Sequence, residues 1–481
     1  MNTTSAARLR RSPHVLLALT LAAGSLLWYE AAPAAAQERS AQLDVRAEAG
    51  AVGDGVHDDT EALQRAIDTG YRESRVVYLP AGVYRVDGDL DWSRPASLAG
   101  DPDSPAVLFS PANRQLADLA YGNRWDRSPT VDNLTFDGLR INLNGPYKQG
   151  LRIARSVFVH RIAPDEAPSA GTEQTSTDGQ VAIGLQNVRG AIVTNSVFLS
   201  DRPVDGGVPV STYRTRQTTV SNNLIGADLN RLDWLENWSG GRSWSQQPRA
   251  RLLELRALTR LPDALGHVQR GMSLKLDEQL TVSGNIVNRD PRSETKRDHA
   301  LYAWGFNGLR IEGNWLRGWP QDDRGGLKVR NGHDATITGN YLSSTALLLY
   351  TYDVTNAPKE FKDVTVCRNT YDIRDETPSP THSGIMYWRN FSGTGPEDAI
   401  ALFDNRFIDP LAGAPDRPDI SQSRGDTAAF ATHDNTYSDG TPVPVLGMTT
   451  APPTEDQRRR CASSAPQDLP VPVYTSPLTG R

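Results

Sequence analysis

With 481 residues, 38% of them hydrophobic and 22% charged, the chain is long enough to bury a large core. Its 40 glycines and 32 prolines exceed ordinary usage only modestly, which excludes a disordered or collagen-like chain, and its two cysteines exclude a disulfide-stapled miniprotein and a cysteine-based zinc cluster. A net charge of −6 argues against non-specific nucleic-acid binding, so any cationic site must be local.

The first predicted element is a targeting segment. Arg8, Arg10 and Arg11 precede an apolar run from Val15 to Leu27, and Pro33-Ala34-Ala35-Ala36 supplies small residues for cleavage. That run is short for a membrane span, and no later run reaches the length needed. Residues 1–36 are therefore expected to be a secretory signal, leaving a secreted chain off the membrane; an uncleaved anchor is the competing reading. Cleavage would remove three arginines and one glutamate and move the charge from −6 to −8. In an oxidising compartment Cys367 and Cys461 could pair.

Residues 37–448 are expected to form one domain. It opens with Gly50-Ala-Val-Gly-Asp-Gly-Val-His-Asp-Asp-Thr60, then Ala62-Leu-Gln-Arg-Ala-Ile67, then Val76-Val-Tyr-Leu-Pro-Ala-Gly-Val-Tyr-Arg-Val86. Asp58 and Glu61 suit the start of a short amphipathic helix over 60–69, and such a helix would cover the open end of a solenoid. Asp54, Asp58 and Asp59 fit turn formation and capping better than a metal cluster. This opening resembles the start of the pectate-lyase superfamily. The resemblance implies a right-handed parallel β-helix and leaves the activity open among lyases, glycoside hydrolases and phage tailspikes.

A period then runs down the chain. Short alternating β segments end in Asn195, Asn223, Asn285, Asn314, Asn340, Asn369, Asn405 and Asn435, at spacings of 28, 62, 29, 26, 29, 36 and 30 residues. A unit this short cannot bury a face alone, and stacked coils of a parallel β-helix solve that problem. Asparagine suits a turn needing left-handed backbone, and stacked amides can bond from coil to coil. The fold class is thus all-β, a right-handed parallel β-helix with an N-terminal cap helix. The 62-residue gap holds a helical insertion at 226–270, with Leu252, Leu253, Leu255 and Leu258 near helical spacing and Trp234, Trp238 and Trp244 clustered nearby. Packing on the solenoid side is its plainer role; a lid or sugar platform is the sharper one.

Counting back from the anchors, Tyr213, Lys275, Trp304 and Arg330 lie ten residues earlier, and Ser211, Ser273, Tyr302 and Lys328 twelve earlier. Strand side chains alternate, so both sets share the outer face, while Leu274, Ala303 and Val329 point inward with Leu276, Leu301 and Leu327 beside them. Coils stack about 4.8 Å apart, so Lys275, Trp304 and Arg330 would line a strip suited to an extended anionic polysaccharide. His333 and Tyr350 extend the candidate binding set.

Gly326-Leu-Lys-Val-Arg-Asn-Gly-His-Asp-Ala-Thr-Ile-Thr-Gly-Asn340 resembles the arginine strand of the alginate lyase and chondroitinase B group. Arg330 matches the family arginine, Gly332 its glycine, and Gly339-Asn340 its turn, while Asn331 stands in place of the family histidine. The resemblance implies β-elimination on a uronate sugar and raises calcium as a cofactor, although acidic ligand positions are not evident and the residues themselves indicate no metal or cofactor. In that chemistry Arg330 neutralises the sugar carboxylate, Lys328 or Lys275 takes the C5 proton, and Tyr302 or Tyr350 serves the leaving oxygen. A polygalacturonase-like hydrolase is the alternative. Asp298, and then Asp322-Asp323 ahead of Leu327-Lys328, resemble its acid and base positions. A non-catalytic carbohydrate-binding or surface β-helix is the third reading. Residues 449–481 are rich in proline and serine and are expected to be a terminal strap or flexible tail. A monomer binding a polysaccharide is the expected assembly.

Overall fold

In the computed structural model each coil gives three short parallel strands, one to each face of a solenoid. The structure describes residues 41–119, 124–145, 148–160, 181–200, 208–226, 238–259, 270–289, 299–319, 326–352, 358–372, 384–390, 399–408, 420–423, 429–443 and 452–462. The signal segment lies outside them. One coil shows the plan. Residues Leu301–Trp304 lie on the first face, Leu309–Glu312 on the second and Trp315–Trp319 on the third, and the next coil repeats this in parallel register. Among the described residues the third face is a sheet of 13 strands from Asp54–Asp58 to Thr436–Tyr437. The first two faces merge into one larger sheet, because Leu301–Glu312 and Leu327–Thr338 run unbroken around their shared corner.

Alternation puts one side of every strand into the core. Val131, Ile153, Val193, Val220, Val282, Ile311, Ile337 and Val366 stack on the second face, all buried. On the third face Phe136, Phe158 and Phe198 stack with centroids 4.8 and 5.1 Å apart. Helix α1, Thr60–Glu73, is one turn longer than the sequence suggests, and it buries Ala62, Leu63, Ala66, Ile67 and Gly70 over the first coil. Asp59 precedes it, but its carboxylate accepts from the backbone of Val52 and Gly53 and so ties down the opening loop. Asp58 binds the amide and hydroxyl of Thr60, and Asp54 holds the amides of Val56 and His57.

The asparagines form a buried ladder. The side-chain oxygen of each accepts two bonds from the preceding asparagine, one from its amide N–H and one from its Nδ2, in an unbroken series from Asn223 to Asn435. Each Nδ2 also donates to a strand carbonyl, as Asn314 does to Val282 at 2.9 Å. One detail of the sequence reading shifts. The left-handed residue is the one before each rung: Asn222, Gly284, Gly313, Gly339, Arg368, Asp404 and Asp434 all have φ between 53° and 62°. Asn195 belongs to that set, at φ 51°, and the rung beside it is Ser196, whose amide donates to Asn223 Oδ1.

The described part of the insertion packs on the outside of the third face. Helix α2, Pro248–Thr259, buries Leu252 and Leu255 with Trp238 and Trp244 against Val157, Val159, Val197 and Leu199, while Leu253 and Leu258 are exposed. Its remaining residues, Trp234 included, lie outside the described residues. Helix α3, Glu455–Ala462, lies in the C-terminal segment and acts as a strap. The disulfide Cys367–Cys461 anchors it to the solenoid beside Ala401 and Phe403, and Arg460 pairs with Asp334 at 2.7 Å. The bridge closes a separation of 94 residues. Cys461→Ser is expected to lower stability by about 2–4 kcal/mol, through the freedom returned to the unfolded chain. Denaturant titration with and without reductant checks this: the wild type should fall to the variant's midpoint, and the variant should not respond. Among the described residues no helix is long and apolar enough to cross a membrane.

Candidate functional site

The outer face of the first sheet carries the row expected from the Asn period. Tyr213 pairs in register with Lys275, Lys275 with Trp304, Trp304 with Arg330, Arg330 with Tyr350, and Tyr350 with Trp388. Ser211, Ser273, Tyr302, Lys328, Leu348 and Met386 form the parallel row two residues earlier. Leu274, Ala303 and Val329 between them are buried, as alternation requires. Leu276 departs from the expected core. It takes φ 57° at the corner and is only partly buried.

Arg330 is the centre of the site. Its Nη1 donates to the Tyr302 hydroxyl at 3.2 Å, and its guanidinium carbon lies 5.7 Å from the Trp304 ring centroid, 5.4 Å from Tyr350 and 4.8 Å from Tyr352. Lys328 Nζ stands 5.0 Å from the Tyr350 centroid. Three rings on adjacent coils thus hold one half-buried planar cation. Aromatic faces favour that arrangement, and they also present apolar surface for sugar rings. Tyr302 is nearly buried and carries a second layer of partners. Arg270 approaches its ring at 5.7 Å and His299 stacks on it at 5.3 Å. Burial pushes the Arg270 pKa down, with the neighbouring Tyr302 acting the other way. Arg270 is not legible as a site residue, and Tyr352 is legible only as one of the aromatics that continue into the later coils. Arg270 is the last residue of the insertion, where no period aligns it, and Tyr352 ends a strand two residues beyond the row.

Two residues of the arginine-strand segment turn away from this centre. Asn331, at φ 42° and fully buried, donates to the carbonyls of Tyr352 and Pro358, each at 2.7 Å, and accepts from the Tyr352 amide. It stitches the corner. His333 lies past that corner and pairs with Glu360 at 2.9 Å. Gly332 between them is required by close approach, since a Cβ there would meet the Phe306 ring at 2.7 Å. Lys275 and Tyr213 continue the row on the N-terminal side, where Arg214 lies 5.1 Å from the Tyr213 ring. Asp277, two residues after Lys275, is turned into the corner. It accepts from Thr212 Oγ1, the Thr215 amide and Thr215 Oγ1, and burial pushes its pKa up to about 6. Its donors mark it as a structural clamp.

Asp298, Asp322 and Asp323 lie outside the described residues. Among the described residues no three His, Cys, Asp or Glu side chains converge as a metal site.

Residues 44–240 match the family described as rhamnogalacturonase A/epimerase, pectate lyase-like. Arg330 and its partners lie beyond the matched stretch. A relative from Azotobacter vinelandii, mannuronan C5-epimerase AlgE2, is 34% identical over 119 residues, which cover 20% of this chain and 11% of that protein. The glucan 1,3-beta-glucosidase of Cochliobolus carbonum is 26% identical over 214 residues, covering 39% of this chain and 26% of the relative. This chain therefore spans only a small part of the curated relatives it matches. Among solved structures, the Streptococcus pneumoniae surface adhesin PfbA aligns at 14% identity over 82% of this chain and 97% of the adhesin, with a TM-score of 0.46.

Proposed function

We propose that this parallel β-helix, whose residues 44–240 match a pectate lyase-like family, is a secreted enzyme that cleaves a uronate-containing polysaccharide by β-elimination on its first face. The observation that carries this reading is the caged Arg330 bonded to the Tyr302 hydroxyl, beside Lys328 and within a row of aromatic rings. An acidic protein that gathers cations and rings on one strip favours an anionic sugar chain over a neutral one. The AlgE2 likeness is in keeping with it, since C5 epimerisation and β-elimination both begin with removal of the C5 proton.

The steps follow from charge. The sugar carboxylate docks on Arg330, whose guanidinium spreads the negative charge that develops as C5 loses its proton. Lys328 takes that proton, with Lys275 the second choice, and Arg330 two residues away favours the neutral amine that a base must be. The C5–H electron pair becomes the C4–C5 double bond, the C4–O bond breaks, and the departing oxygen collects a proton from Tyr302 or, failing it, Tyr350. His333 is a binding residue only at the edge of such a site. The polysaccharide is the proposed partner of a monomer, with residues 1–36 removed on export.

A panel of acidic and neutral polysaccharides incubated with purified protein tests the reading, with ultraviolet absorbance of an unsaturated uronate and reducing ends followed in parallel. Elimination yields both signals. Reducing ends alone would favour the hydrolase reading, which the glucosidase likeness keeps in view and in which Asp298, Asp322 and Asp323 carry the chemistry. Neither signal, with binding retained, would favour a carbohydrate-binding role.

A further inference from the structure

A second polar cleft opens on a different face. It lies where the insertion meets the second face, has a volume of about 180 Å³, and is lined by Thr130, Asp132, Arg152, Arg155, Asn195 and Ser243. Thr130 and Arg152 are register partners on adjacent strands and point outward, with Val131 and Ile153 between them and their following neighbours turned into the core. Ser243 comes from the short 3-10 turn Ser239–Ser243 of the insertion, which Trp244 fixes by donating from Nε1 to the Asn195 carbonyl at 2.9 Å. The cleft is therefore built by two distant parts of the chain, and both walls are held.

Its charges are unevenly used. Arg155 is committed to Asp132, with Nε donating to Oδ1 at 2.8 Å and Nη2 to Oδ2. Arg152 is exposed and makes no side-chain hydrogen bond or ion pair among the described residues. Behind the cleft Arg251 is buried, bonded only to neutral oxygens, the side-chain and backbone oxygens of Asn133. Burial holds its pKa down at about 10, so it stays cationic, and Asp132 and Arg155 are among the charges it feels. The lining thus offers two guanidiniums against one carboxylate, with a further buried cation behind them.

We infer that this cleft is an accessory binding site for a single uronate unit of an acidic saccharide, separate from the Arg330 site. The carboxylate docks on Arg152, and ring hydroxyls meet Thr130, Ser243 and the remaining lone pairs of Asp132. A planar guanidinium suits a carboxylate because it donates two parallel bonds, and the cleft is small enough to admit one pyranose ring. The choice of an acidic sugar over another small anion rests on the proposed polysaccharide substrate and on the hydroxyl-matching groups of the lining.

Calorimetry on the full chain carrying Arg330→Ala weakens the first face, and adding Arg152→Ala in that background assigns what binding remains to the cleft. The probes are tetrasaccharides of galacturonate and of mannuronate, with a neutral glucose tetrasaccharide as control. Saturable binding of one or both acidic probes is expected to persist in this background. It should weaken roughly tenfold or more when Arg152→Ala is added, the loss of one charge-assisted pair, and recover in part with Arg152→Lys. Thermal melts of the same variants should coincide, since Arg152 is exposed. Unchanged binding in the double variant, equal affinity for the neutral probe, or no binding in the Arg330→Ala background overturns the inference. If no polysaccharide is cleaved yet binding that depends on Arg152 is found, the cleft stands and the elimination reading falls.

Discussion

Arg330→Ala should lower kcat/KM on the cleaved polysaccharide by roughly 10²–10³-fold, about 3–4 kcal/mol, the scale of removing one oxyanion donor. Arg330 sits where charge would develop, and its substitution removes a group that binds the carboxylate more strongly in the transition state than before it. Folding should survive, because the side chain is half-buried on the outer face and its bond is to Tyr302, which keeps its packing against His299 and Arg270. Arg330→Lys should recover only part of the loss, since an ammonium cannot keep the planar contact with three rings. The companion variant is Asp322→Asn, which should cost much less. Turnover measured side by side decides between two chemistries. A dead Asp322→Asn with an active Arg330→Ala would transfer the reaction to the carboxylates and sink the elimination reading.

Asn314→Leu is expected to destabilise the fold by about 4 kcal/mol or more, the largest effect on stability anticipated for a single residue here. The amide is fully buried in the middle of the ladder. Its oxygen accepts from the Asn285 amide N–H and Nδ2, and its own Nδ2 donates to Val282 O and Asn340 Oδ1. Leucine satisfies none of these, and each buried group left without a partner costs about 1–3 kcal/mol. Some relaxation returns part of that, because Asn285 Nδ2 keeps its bond to Val220 and Asn340 Oδ1 keeps the residue-314 amide. Denaturant titration of the variant against Asn435→Leu, at the last rung, provides the comparison. An equal loss at both positions would mean that the ladder does not act through its continuous bonds.

The rows of the first face were legible because one short polar residue recurs at the same corner of every coil. Once Asn223, Asn285, Asn314 and Asn340 were aligned, counting back placed Tyr213, Lys275, Trp304 and Arg330 in a single register. The errors share a cause. Asn195 and Ser196 are adjacent small polar residues, and only the corner geometry tells which is the left-handed residue and which the rung. Asn331 reads as a substituted catalytic position, yet the corner turns it inward, where it bonds the carbonyls of two segments. Leu276 reads as core, but the corner rotates it off the alternating pattern. Corner conformation is set by contacts between coils, and no local propensity encodes it. Arg270 and His299 gain their place from Tyr302 one layer up, and nothing in their spacing points there. The helical strap Glu455–Ala462 lies in a polar, proline-flanked stretch, where its one buried side chain is the disulfide-bonded Cys461.

The two unbroken strands Leu301–Glu312 and Leu327–Thr338 also say where this scaffold cannot grow. Around their corner the backbone passes from the first face to the second within a few residues and stays paired to its neighbour throughout. In the following coil the two faces are instead served by separate strands, Leu347–Tyr352 and Phe361–Cys367. One extra residue at 305–308 or 331–334 would shift the register of one row against the other. A lineage diversifying on this solenoid is therefore expected to hold the length of 305–308 and 331–334 fixed around the coil that carries Arg330.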